Sequence, residues 1–287
     1  NDLSFAQTYY PKSKATLYLN HLSTSIFQKI YKTRRIEQNR LFYFFKTEAP
    51  LVIYQYRRYL YYAFAFFFLF VSIGVLSFHY NKAFVSTILP EGYVNMTLEN
   101  IKNGGAMDVY KDGSTWGSTI GIGFNNLMVG AKLYIFGIFG GIGSLYILLQ
   151  NSVMVGTFQY LFYEHGALND SLRGIWLHGT FEIFSMVIEC MAGLVLGTSI
   201  LFPKTFSRFN SLKIGMKDSL KIFVSTIPFT IVAAILEGYV TRYALEMPEI
   251  LNLIIIFGSL TFIVYYYFIY PTVVHKRVKK EEAHGIL

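Results

Sequence analysis

Leu60-Tyr-Tyr-Ala-Phe-Ala-Phe-Phe-Phe-Leu-Phe-Val-Ser-Ile-Gly-Val-Leu-Ser-Phe-His-Tyr80 is the stretch that decides the fold class. Its 21 residues include no Lys, Arg, Asp or Glu. At about 1.5 Å per residue, a helix of that length reaches roughly 30 Å, the thickness of a bilayer's hydrocarbon core. Tyr59, Tyr61 and Tyr62 at one end and Phe78 and Tyr80 at the other read as interfacial aromatic belts, with Arg57 and Arg58 just before them.

The whole chain has the same character. Of 287 residues, 53% are hydrophobic, 18% aromatic and only 15% charged, against about 25% charged in an average soluble domain. Mean hydropathy is +0.40. A soluble chain would need more polar residues to coat its surface, so the composition argues against a soluble enzyme, a disordered regulator or a disulfide scaffold. The single cysteine, Cys190, lies in an apolar run and reads as a small buried residue rather than a redox group. The chain starts at Asn1 rather than Met, so some N-terminal sequence is expected to be missing, and residues 1–57 carry no signal-peptide pattern.

The expected architecture is all-α and polytopic, with about six transmembrane helices. Residues 1–57 form a basic amphipathic helical segment. Leu19, Leu22, Ile26 and Ile30 share one helical face, and Lys29, Lys32, Arg34, Arg35 and Arg40 cluster beside or after it. This segment is either a helix lying on an anionic membrane surface or a helical hairpin on the protein's own cytoplasmic side. Pro50 suits the first turn of a new helix. The membrane domain covers 58–275, with spans at about 60–80, 127–149, 152–165, 174–202, 222–243 and 250–274. The apolar run 127–163 is broken only at Gln150-Asn151-Ser152, which is expected to turn, leaving 152–165 short and either tilted or re-entrant. The loop 81–126 is expected to hold short helices, one starting at Ser114. A basic tail, 276–287, closes the chain.

Charge orients this arrangement. The segment up to Arg58 holds ten Lys and Arg, and the 203–221 loop holds Lys204, Arg208, Lys213, Lys217 and Lys221. The tail adds Lys276, Arg277, Lys279 and Lys280. The 81–126 loop has Lys82, Lys102 and Lys111 against Glu91, Glu99, Asp108 and Asp112, and 244–249 has no Lys or Arg. The positive-inside rule puts both termini in the cytoplasm. The net charge of +8 therefore reads as a topology signal and not as a nucleic-acid surface.

Ionisable groups inside apolar spans are costly and therefore informative. His178, Glu182 and Glu189 fall within about 40° of one another on a helix, with Ser185 between them. Glu237 and Lys132 lie in other spans. Counted inward from the outer ends, Lys132 is about 8 Å deep, Glu237 about 10 Å and Glu182 about 12 Å, so one layer can hold all three. A buried network is expected in which Lys132 neutralises Glu182 or Glu237, with His178 at its mouth. Glu189, about 22 Å in, is either protonated or facing a polar cavity. A proton or ion path, a metal site and a partner-docking site are the functional readings, against a network that only fixes helix packing. His178 and Glu182 at i, i+4 are two ligands on one helix, HExxH is absent and no Ser/His/Asp or Cys/His set is visible. No catalytic residue, metal or cofactor is therefore expected.

Gly137-x-x-x-Gly141 and Gly193-x-x-x-Gly197 have the spacing that lets helix backbones approach closely. The contact is read as packing within one subunit, with a homodimer seam as the alternative.

Several segments together resemble the stage II sporulation protein M family. These are Asp2-Leu-Ser-Phe-Ala-Gln-Thr-Tyr-Tyr-Pro11 with Tyr18-Leu-Asn-His-Leu22, Phe44-Phe45 ahead of Pro50, and Arg57-Arg58. Further along come Asn125-Asn126, the Gly137 to Gly143 run, Asn151-Ser-Val-Met-Val-Gly156, His178-Gly179-x-x-Glu182 and Leu236-Glu237-Gly238-Tyr-Val-Thr241. The 81–124 region matches least. The resemblance implies an integral protein of the bacterial cytoplasmic membrane without known catalysis. The family's namesake is a scaffold for peptidoglycan-degrading enzymes during engulfment. Relatives occur beside genes for a MoxR-type ATPase and RDD-family membrane proteins. His178, Glu182 and Glu237 sit in the family's motifs. The expected function is a non-enzymatic membrane scaffold or assembly partner of envelope or peptidoglycan-remodelling machinery, in contact with the lipid bilayer and other membrane proteins. The alternative is a permease or ion-coupled channel subunit using Lys132, His178, Glu182, Glu189 and Glu237.

Overall fold

Ala49–Tyr80 forms a single helix of 32 residues, with Pro50 in its first turn, where the missing N–H would have had no partner anyway. It is one of many helices in a computed structural model that describes residues 2–11, 13–33, 39–110 and 115–283. Every regular element among those residues is helical. In chain order they are α1 (Asp2–Tyr9), α2 (Lys14–Thr33), α3 (Arg40–Tyr43), α4 (Ala49–Tyr80), α5 (Phe84–Ile88) and α6 (Glu91–Lys102). Then come α7 (Thr115–Ile135), α8 (Ile142–Glu164), α9 (Leu168–Leu201), α10 (Arg208–Ile235), α11 (Glu249–Val264) and α12 (Tyr270–Ala283). π turns occupy Phe44–Glu48, Leu236–Val240 and Tyr265–Ile269.

The chain divides into two compact units, Asn1–Lys46 and Thr47–Leu287. In the first, α1 and α2 form a hairpin closed by buried Thr16, whose hydroxyl lies 3.1 Å from Ala6 O and 2.6 Å from Tyr10 O. The side chains of Ile26, Lys29, Ile30 and Lys32, and the whole of Arg34 and Arg35, lie outside the described residues, as does Ser114.

In the second unit, α9 is the axis. It packs against α4, α7, α8, α10 and α11. Its most apolar window is 78% buried, against 22% for the helix Arg40–Tyr80 and 17% for Glu249–Ala283. A helix that is apolar all round belongs in the middle, while the other two turn wide apolar faces outward. Among the described residues, four helices are long and apolar enough to cross a membrane: Arg40–Tyr80, Leu168–Leu201, Arg208–Tyr243 and Glu249–Ala283.

Several boundaries differ from expectation. Gln150, Asn151 and Ser152 do not turn; they lie inside α8. The reversal comes earlier, through a 3-10 turn at Phe136–Ile138 and then Gly140 and Gly141 at φ +69° and +86°. Two adjacent residues in the left-handed region favour glycine, whereas the polar trio is compatible with helix. Asn151 donates to Ile147 O at 2.8 Å, and Gln150 donates to the Tyr146 hydroxyl at 3.1 Å. Much of the expected 203–221 loop is the start of α10, which Ser207 caps by accepting from the Asn210 N–H at 3.3 Å. The 81–126 region holds short helices as expected, α5 and α6, but the helix expected near its end is α7, which runs on to Ile135 and takes in the start of the expected 127–149 span. Ala106 and Met107 pack with Phe162, Ala167 and Ile175 in a second small core.

Candidate functional site

The end of α7 and the reversal after it approach α9 so closely that glycine is required on both sides. A Cβ on Gly137 would collide with the Gly193 backbone, and one on Gly197 with the Gly140–Gly141 backbone and Gly137 O. Gly137, Gly193 and Gly197 thus pack against backbone within the chain, and Gly141 lies against Gly197 and Leu194. A second crossing sets Gly74 of α4 against Val153 O, and Gly156 of α8 against Val71 O.

Further along the α7–α9 contact, the polar stripe of α9 meets two neighbours. His178 is 3% exposed, and its Nδ1 lies 2.9 Å from the Thr241 hydroxyl. Its Nε2 faces Glu237 Oε1 at 3.9 Å. Ligand-capable atoms of His178, Glu182 and Glu237 all lie within 4.8 Å of one another. The π turn Leu236–Val240 makes this possible. One extra residue per turn rotates the helix end, so the Thr241 hydroxyl reaches back to Leu236 O at 3.2 Å and both Glu237 and Thr241 face α9. Gly238 lets the same turn approach α7, because a Cβ there would strike the Thr119 hydroxyl. α6 lies beside this end of the site. Burial raises the Tyr93 phenol above its ordinary pKa, and the nearby Glu237 carboxylate adds to the rise.

Glu182 also lines a cavity of about 110 Å³, together with Asn125, Asn126, Asn151, Glu189 and Thr230. Glu189, 3% exposed, accepts from the Thr226 hydroxyl at 2.9 Å, and its carboxyl fills the space where a Cβ on Gly130 would stand, 2.5 Å away. Of the two environments expected for Glu189, the cavity is present. Asn126, Gly130, Thr226 and Thr241 take part without having been singled out individually as site residues in the sequence.

Lys132 does not join this group. It is exposed, and the ion pairs among the described residues do not include it. α7 turns Gly130 and Leu133 toward α9, and at 100° per residue Lys132 then points away. Lys132 is also outside the expected layer: α7 sets Thr119 against Gly238, Gly130 against Glu189 and Leu133 O against Gly193, so Lys132 stands level with Glu189–Gly193 and not with Glu182 and Glu237.

A bundle of apolar helices around a buried α9 that carries ionisable groups fits a helical membrane protein with a polar centre among its helices. The chain belongs to the family described as stage II sporulation protein M, which residues 63–242 match. Residues 1–32 match a separate family, described only as a domain of unknown function, so the N-terminal motif lies outside the main match. An uncharacterised protein of Methanocaldococcus jannaschii is 30% identical over 120 residues, which is 41% of this chain and 52% of that protein. The chain thus spans about half the length of the curated relative it matches. No solved structure matches.

Proposed function

We propose that this protein binds and passes a cation through an ionisable centre buried in its helix bundle. One observation supports this reading above the others. Glu182 belongs both to the His178–Glu237 cluster and to the cavity that continues to Glu189, so the ionisable groups form a file along α9. A network needed only for packing would be served by any satisfied hydrogen bonds, whereas a file of carboxylates beside a cavity gives a cation successive partners. The reading includes six crossings of the cytoplasmic membrane with both termini inside. α7 and α8 would cross as a hairpin, putting Phe136–Gly141 on the cytoplasmic side. Reconstitution into liposomes tests it: proton or metal-ion flux should exceed that of empty vesicles and fall when Glu182 and Glu237 are both changed to Gln.

A second reading is a non-enzymatic scaffold or assembly partner. It is favoured by the first unit, which exposes Phe5, Tyr9, Tyr10, Leu17 and Tyr18 and is matched by its own family. Crosslinking in the native membrane should then recover an RDD-family or peptidoglycan-remodelling protein with the full chain, but not after removal of residues 1–32. Equal recovery with both would remove this reading.

A further inference from the structure

We propose that His178, Glu182 and Glu237 form a binding site for a divalent first-row transition cation, for which Zn²⁺ and Mn²⁺ are the test ions. The proposal rests on the cation-centre reading above and names the cation.

The donor set is one imidazole nitrogen and two carboxylate oxygens, drawn from α9 and the π turn that follows α10, all within 4.8 Å of one another. In a tetrahedral site with ligand bonds of 2.0–2.2 Å, donor atoms stand about 3.4 Å apart. His178 Nε2 and Glu237 Oε1 at 3.9 Å are therefore about half an ångström from liganding distance, within the reach of side-chain rotation.

The histidine is oriented for this role. The Thr241 hydroxyl has one proton and two close neighbours, Leu236 O at 3.2 Å and His178 Nδ1 at 2.9 Å. Both contacts are hydrogen bonds only if Thr241 donates to Leu236 O and accepts from an Nδ1–H. That tautomer puts the lone pair on Nε2, on the side of the two carboxylates. A metal-binding histidine is ordinarily held in this way, by a bond from its other nitrogen to an oxygen.

Charge selects the valence. Neither Glu182 nor Glu237 is ion-paired with a Lys or Arg among the described residues. One divalent ion cancels two carboxylates, and the neutral imidazole adds nothing, so the filled centre carries no net charge inside the bundle. The imidazole favours a transition ion over Mg²⁺ or Ca²⁺, which prefer all-oxygen shells. The cavity of about 110 Å³ beside Glu182 has room for a few waters to complete the coordination.

The test uses the full chain in detergent, stripped with chelator, exposed separately to Zn²⁺ and Mn²⁺, passed through gel filtration and assayed for metal per chain. Wild type and Lys132→Ala should retain about one ion. His178→Gln and Glu182→Gln/Glu237→Gln should lose at least tenfold in affinity. Thr241→Val, which keeps every ligand, should weaken binding by about 10- to 100-fold while eluting as wild type does. Co²⁺ absorption should report an imidazole ligand that disappears in His178→Gln. Less than one ion per ten wild-type chains, or wild-type affinity in Glu182→Gln/Glu237→Gln, would overturn the proposal. Proton flux that needs both glutamates without bound metal would overturn the metal site and leave the transport reading standing. One bound ion without any flux would do the reverse.

Discussion

Gly130 and Glu189 show how closely one residue can depend on another. The carboxyl group of Glu189 sits where a Cβ on Gly130 would stand. Gly130→Ala should therefore destabilise the protein by about 1–3 kcal/mol, the usual range for overpacking. Truncating the carboxylate in Gly130→Ala/Glu189→Ala should recover part of that loss. Thermal unfolding in detergent reads both variants, and strictly additive losses would refute the coupling. The α9 stripe was legible in the sequence because a helix repeats its face every three or four residues and the polar groups there stand out against an apolar background. The direction of Lys132 was not. Depth follows from counting only when the helix end is right, and α7 starts at Thr115 rather than near 127; which side faces the bundle depends on where neighbouring glycines allow contact. For the same reason Gly130 gave no signal of its own: its role lies in the length of a side chain 59 positions away.

At the scale of elements, not every motif glycine has a steric duty. A Cβ on Gly179 would meet only Ile183 and Ile175 side-chain carbons at 3.6–3.7 Å, which is ordinary contact. Gly179→Ala should be neutral or stabilising by up to about 1 kcal/mol, because alanine is the better helix former. Gly197→Ala, by contrast, drives a Cβ into the backbone of the α7–α8 reversal and should lower the unfolding midpoint clearly. Equal midpoints for the two variants would contradict that packing. The glycine pairs could be recognised by their spacing, yet the reversal at Gly140–Gly141 was read ten residues too late. Polar residues suggested a break at Gln150–Ser152, but a helix can absorb them through bonds such as Asn151 to Ile147 O, whereas two successive positive φ values end it. The π turn at Leu236–Val240 also left no periodic trace. It brings Glu237 and Thr241 to His178 over 59 and 63 positions of sequence, which is why Glu237 could be expected near His178 from its depth while the Thr241 contact could not.

At the scale of the whole molecule, topology is the first thing to establish. Cys190 is fully buried, so single-cysteine probes can be added to the wild-type background. Asn103→Cys and Glu249→Cys should react with a membrane-impermeant maleimide from outside the cell. Phe139→Cys, Phe206→Cys and Glu282→Cys should react only after permeabilisation. Outside labelling at Phe139 would rule out the α7–α8 hairpin as a pair of crossings. The central claim is that the file of ionisable groups along α9 handles a cation, and flux through proteoliposomes tests it most directly. The account predicts cation flux well above that of empty vesicles, unchanged in Lys132→Ala and reduced at least tenfold in Glu182→Gln/Glu237→Gln, with both variants inserted as wild type is. Flux no greater than that of empty vesicles, or wild-type flux with both glutamates neutralised, would contradict it.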